Sequence, residues 1–187
     1  KQWYAAAYSF YLGLLDLKQG RTDAVISRMN EMKQALPEMP PFFIDWMKFY
    51  CDLLQVEATL AAGKLENAIS AGERASPLGR PHGSYSWNML LYSAPFLKDA
   101  LARAYLKKGE RDKAIAEYER LITFDPNRRE RILIYPKYYY WLAKLYEEKG
   151  QKAKAIEHYE KFLDLWKDAD PGQAEVEDAR KKLAGIS

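Results

Sequence analysis

Leu101–Ile122 (LARAYLKKGERDKAIAEYERLI) and Leu142–Leu163 lie 41 residues apart and share ten of 22 positions. The shared residues are Leu, Ala, Tyr, Lys, Gly, Lys, Ala, Ile, Tyr and Glu. They are mostly small or apolar, while the polar positions drift. A repeating apolar frame means that each copy is one supersecondary unit stacked on the next, which excludes most other architectures. It also bears on chemistry. His158 aligns with Glu117, so the histidine is not part of what repeats.

Within the first copy, Leu97, Leu101, Ala104 and Tyr105 fall on one face of a 3.6-period helix, which Gly109 ends. Ala114, Ile115, Tyr118, Leu121 and Ile122 form the face of a second helix, closed by Asp125-Pro126. The second copy repeats the plan around Gly150, so each unit is a helical hairpin. Fainter copies lie in LKQGRTDAV (17–25) and LAAGKLENAIS (60–70). Anchored on Ala24, Ala68, Ala114 and Ala155, the spacings are 44, 46 and 41 residues. Helices are predicted over about 1–18, 22–36, 42–62 and 65–75. Pro37, Pro40 and Pro41 separate the first two units, and loops are expected over 76–86 and 128–136. A final helix is predicted over 171–184, with Asp170 as N-cap, Pro171 at N1 and Gln173 three residues after the cap. Its stripe of Val176, Ala179 and Leu183 suits a helix that covers the end of an array. Glu177–Lys181 and Asp178–Lys182 are expected as solvent-side i,i+4 pairs, like Glu157–Lys161. The expected fold is all-α: a single domain of four hairpins (about 1–37, 40–76, 93–126 and 136–167) with a capping helix.

Composition adds exclusions. The 187 residues carry 29 basic and 26 acidic side chains, too even a balance to indicate nucleic acid or a membrane surface. No run of 18 apolar residues occurs, so membrane insertion is not expected. No signal peptide is visible at the start, and a chain that opens on Lys1 reads as a fragment of a longer protein. A cytoplasmic location is expected, or a periplasmic one if the parent chain carries a transmembrane segment. Cys51, the lone cysteine, sits among Phe49, Tyr50, Leu53 and Leu54 and reads as a buried, inert thiol.

The repeats resemble the tetratricopeptide repeat family in Leu101-Ala102, Tyr105, Gly109, Ala114, Tyr118 and Pro126, and again in Tyr139, Leu142-Ala143, Tyr146, Gly150, Ala155 and Tyr159. The second unit departs from the pattern, with Gly72 at the aromatic position of its second helix. The resemblance implies a TPR-like α-solenoid whose first helices line a concave wall. It places Phe96, Asp99, Arg103, Leu106 and Lys107 on that wall, then Lys137, Tyr140, Lys144 and Glu147, with Tyr50, Leu53 and Glu57 from the second unit. The groove so implied mixes aromatic anchors with basic Arg103, Lys107, Lys137 and Lys144, and suits a peptide with an apolar residue and some acidic character. The Asn positions of a chaperone-tail clamp are absent, since Asn30, Asn67, Asn88 and Asn127 fall in second helices or loops. Ala155–Gly185 resembles the C-terminal end of such arrays in large bacterial signalling proteins, where a kinase, cyclase or winged-helix domain precedes the array.

Motifs for chemistry are missing. There is no Gly-rich phosphate loop and no H-E-x-x-H, and His82 and His158 stand 76 residues apart. A solvated or capping role is the simpler reading of His158, and a turn residue that of His82. The many carboxylates share polar helix faces with Lys and Arg. SYSWNMLLYSAPF (84–96) could form a binding lip or cover a joint between repeats. NRRER (127–131) could meet phosphate or an acidic partner, or be a solvated loop tip. The expected function is therefore non-enzymatic, without cofactor or metal and without nucleic-acid contact. The expected partner is a protein or peptide. The alternative is a homodimer formed through the apolar helices at 3–17 and 42–60.

Overall fold

A computed structural model describes residues 2–75, 99–123 and 134–186. Among them are nine α-helices: α1 Gln2–Lys18, α2 Thr22–Ala35, α3 Pro41–Ala61, α4 Leu65–Ala75, α5 Ala100–Lys108, α6 Arg111–Ile122, α7 Lys137–Glu148, α8 Lys152–Leu165 and α9 Ala174–Ile186. A 3-10 turn, Leu36–Glu38, links α2 to α3. The expected loop at 76–86, the stretches 84–96 and 127–131, Pro126 and His82 lie outside the described residues.

Four hairpins are closed by the same turn. Gly20, Gly63, Gly109 and Gly150 adopt φ of 71°, 71°, 84° and 72°. The amide after each glycine reaches back to a carbonyl of the last helical turn: Arg21 to Asp16 (2.9 Å), Lys64 to Thr59 (2.8 Å), Glu110 to Tyr105 (2.9 Å) and Gln151 to Tyr146 (2.9 Å). This left-handed termination satisfies the carbonyls that a helix end leaves open, and it reverses the chain in two residues. The fourth residue of each following helix then makes the first helical bond. Those residues are Val25, Ala68, Ala114 and Ala155, all fully buried. The first unit's anchor is thus Val25, not Ala24. Distance from the glycine fixes the slot, and valine fills it as well as alanine.

Each second helix packs on the first helix of the next hairpin, and α9 packs on α8 and α7 as a further first helix would. Polar ties recur at these joints in constant register. Tyr105 donates to Glu73 at 2.9 Å, and Tyr146 donates to Glu119, the residues equivalent by position. Lys108 pairs with Glu66 at 2.8 Å, and Lys149 pairs with Asp112 in the same places. The departure at Gly72 has a packing reason. A Cβ there would lie 2.8 Å from Leu101 Cδ1 and 3.0 Å from Leu101 Cβ, so α4 approaches α5 over a bare backbone.

The core is in two parts. Phe10, Val25, Met29, Met32, Phe43 and Met47 belong to the first, and the hairpins from α4 onward form the second. Helix α3 runs through both, with Leu54 in the first and Val56 and Leu60 in the second. Phe43, Met47, Leu53, Leu54, Val56 and Leu60 are thus buried inside the chain, where the dimer alternative had 42–60 as a contact helix.

The last helix also differs from expectation. Asp170 and Pro171 do not start it. Gly172 takes φ 85°, and α9 begins at Ala174, with the Val176 and Glu177 amides bonded to the Gln173 carbonyl at 3.0 and 3.2 Å.

Candidate interaction surface

Glu57, Arg103 and Lys144 each stand eleven residues before the buried alanine of their hairpin, so they occupy one line across α3, α5 and α7. Arg103 organises its part of that line. Its guanidinium bonds both carboxylate oxygens of Glu57 and, through Nε, Asp99 Oδ1 at 2.9 Å. The other oxygen of Asp99 accepts from Tyr118 at 3.3 Å. Burial pushes the Asp99 carboxyl above the usual range, against the pull of Arg103. Asp99 thus holds Arg103 in place from inside the core. Lys107, a turn further on, is exposed and, among the described residues, approaches the Leu60 carbonyl at 3.4 Å.

On the last hairpin the same face meets α9. Tyr140, itself buried, donates to Asp178 at 2.7 Å. Lys144 sits 3.7 Å from Asp178 and lies over the rings of Tyr140 (5.3 Å) and Trp141 (5.8 Å). Lys137 pairs with Glu175. Glu147 accepts from Lys182 at 2.8 Å and from Tyr159 at 2.9 Å. A stripe at 137, 140, 144 and 147 is thus matched by one at 175, 178 and 182. Asp178 and Lys182 reach across to α7, where an i,i+4 pair within α9 was expected. Lys161 likewise pairs with Asp164 at 3.8 Å, where Glu157 was expected. Of the residues expected on the wall, Arg103, Asp99 and Glu57 are brought together. Lys137, Tyr140 and Lys144 gather under α9, and Lys107 stays open. Phe96 lies outside the described residues.

His158 is half-buried rather than fully solvated. Its ring stacks on Tyr146 at 5.5 Å and 9°, with Tyr139 at 6.1 Å, and burial pulls its pKa down. Only its alignment opposite Glu117 was legible in the sequence; the two tyrosines come from a different helix. Cys51 is buried, and burial pushes its thiol up to about 11, so it is poorly nucleophilic at neutral pH. No cluster of three metal-ligating side chains occurs among the described residues, nor any helix long and apolar enough to cross a membrane.

Hairpins stacked in one register, with their first helices aligned along one face, define a helical-repeat scaffold of the α-solenoid class. Residues 99–128 and 136–165, in the last two hairpins, match the family model described as tetratricopeptide repeat, which supports the expected family. Among solved structures, a thermophilic TPR protein from Thermus thermophilus is similar over 97% of this chain and 98% of its own, at 20% identity and a TM-score of 0.46. No curated protein matches the sequence. Repeats of this family generally mediate protein–protein interaction, and proteins of this fold typically serve as scaffolds.

Proposed function

We propose that the chain is a non-enzymatic interaction module that binds a peptide or protein along the first-helix wall, and that it serves as a regulatory or sensing arm of a larger bacterial signalling protein in the cytoplasm. One observation carries the groove reading: Arg103 and Lys107 stand side by side on α5, beyond the reach of α9. Arg103 is already paired with Asp99 and Glu57, so a ligand carboxylate would be met chiefly by the Lys107 ammonium beside it. The accessible stretch is then the α3–α5 part of the wall, since α9 occupies the α7 part. The signalling role rests on the resemblance of Ala155–Gly185 to the ends of such arrays.

Lys107→Glu tests the groove. A displayed peptide library selected on the wild-type chain is expected to enrich acidic sequences with an apolar residue. Binding of the selected peptide, followed by anisotropy, should weaken at least tenfold in Lys107→Glu with no change in melting temperature. Enrichment of basic peptides, or unchanged binding to the variant, would refute it.

A further inference from the structure

Trp141 stands on α7 beside the stripe that α9 covers, not within it. That stripe is Lys137, Tyr140, Lys144 and Glu147. Successive residues of a helix are roughly 100° apart, so Trp141 is turned from Tyr140 toward the flank of Tyr138. On that flank Tyr138 meets Tyr118 of the preceding hairpin, with ring centres 6.0 Å apart. The Trp141 ring meets Tyr140 edge-on at 5.0 Å, and the Lys144 ammonium stands over it at 5.8 Å. Trp141 lies fourteen residues before the buried alanine of its hairpin, in a row with Leu54 of α3 and Ala100 of α5. Leu54 and Ala100 are buried, whereas Trp141 is half-buried. In this row across α3, α5 and α7 it is the large apolar side chain left partly open.

The charges around it are unevenly matched. Glu57 and Asp99 are bonded to Arg103. Glu147 accepts from Lys182 and Tyr159, and Glu148 accepts from Arg111 at 3.0 Å. Lys107 approaches a carbonyl, not a carboxylate, among the described residues. Lys144 is 3.7 Å from Asp178, whose same oxygen already accepts from Tyr140 at 2.7 Å. The carboxylates of this stretch are thus engaged within the chain, and the lysines on either side of the tryptophan have capacity for a further anion.

We infer that Trp141 is the apolar anchor of the wall, taking an aromatic or large aliphatic side chain of a peptide that crosses from α5 to α7. One peptide carboxylate then lies next to that side chain, at Lys144, and a second reaches Lys107. Lys107 is two turns further along its helix than the Trp141 position, about 10 Å, and one helix across, about 10 Å more. The diagonal of roughly 15 Å is spanned by four or five residues of extended chain. This rests on the reading that the wall binds a peptide, and it names the residue that sets specificity and the spacing it selects.

The probes are synthetic peptides with one phenylalanine, a glutamate beside it and a second glutamate four residues away. Companion peptides carry alanine for the phenylalanine, or lysine for either glutamate. Anisotropy with the wild-type chain should show each companion binding about tenfold more weakly. Trp141→Ala should weaken the phenylalanine peptide about tenfold and leave the alanine peptide unchanged, while Trp141→Phe restores most of the loss. Melting temperatures show whether each variant is folded. An alanine peptide that binds wild type as tightly as the phenylalanine peptide would overturn the anchor, whatever the stability of Trp141→Ala. Binding lost in Lys107→Glu but kept in a folded Trp141→Ala would overturn the anchor and leave the wall. Absence of binding by every probe, or binding indifferent to both variants, would overturn the anchor and the wall together.

Discussion

Gly72→Ala isolates the reason for a glycine in the middle of α4. In a helix interior the exchange normally stabilises by about 0.5–1 kcal/mol, because alanine loses less backbone freedom on folding. Here the new methyl meets Leu101 at Cδ1 (2.8 Å), Cβ (3.0 Å) and Cα (3.4 Å). Rotating the leucine relieves the first contact only; the other two are fixed by the α5 backbone. The two helices must move apart, and overpacking of this kind costs about 1–3 kcal/mol. The steric effect wins, for a net loss of about 1 kcal/mol. In a chain of this length that lowers the melting temperature by roughly 2–4 °C. Thermal unfolding followed by circular dichroism reads it directly. In a Leu101→Ala background, which removes the Cδ1 contact but keeps those at Cβ and Cα, Gly72→Ala should still destabilise. A rise in melting temperature in either background would refute the close-approach argument.

Gly109→Ala places a Cβ at φ 84° with nothing within 4 Å, so its cost is conformational alone, about 1–2 kcal/mol, and its melting temperature should fall. Gly185→Ala, inside α9 with open space around it, should raise the melting temperature slightly by the same assay. Lys137 holds the Glu175 carboxyl below its usual range; Glu147 is lowered too, its burial outweighed by Lys182 and Tyr159. The stability these carboxylates add is complete above about pH 4.3 and is lost as pH falls through their lower folded values, so hydrogen exchange in α9 should accelerate in acid before exchange in α6. Burial keeps His158 neutral below its ordinary pKa, assisted by Lys154 and opposed by Glu157 and Glu119. Stability should therefore fall as pH drops below about 6.5, and His158→Phe should flatten that slope in melts across the range.

What the sequence made legible is what the backbone decides locally. The glycine turns were readable because a left-handed residue after an amphipathic run has few alternatives, and the hairpins follow from them. The register of the first unit slipped by one because residue type was used as the anchor where distance from Gly20 was the constraint. The start of α9 was misplaced because Asp170-Pro171 has the chemistry of a helix start, while Gly172 turns the chain before the helix begins. The polar side of α9 was misread for a more general reason. Asp178 and Lys182 have the spacing of an internal pair and equally the spacing of a stripe that matches α7, and one sequence cannot tell these apart. His158 belongs to the same class: a polar residue opposite a non-repeating position looks solvated until two tyrosines from α7 close over it.

The joints between hairpins carry the same logic further. The Tyr–Glu and Lys–carboxylate ties bind the second hairpin to the third and the third to the fourth. At the first joint their places in α3 are taken by Thr59, whose hydroxyl bonds back to the Gln55 carbonyl at 2.7 Å, and by Ala62, so neither tie can form. What joins the first hairpin to the rest is instead a separate apolar core, shared with the N-terminal half of α3. Helix α3 is 21 residues long, against nine for α5, because it must serve both cores in sequence. The spacing of 46 residues between Ala68 and Ala114 thus has a different origin from that between Val25 and Ala68. The second includes the extra turns of α3, and the first includes the segment 76–98. The unequal periods record two ways of lengthening a helical hairpin array while the turn and the buried slot at its centre stay fixed.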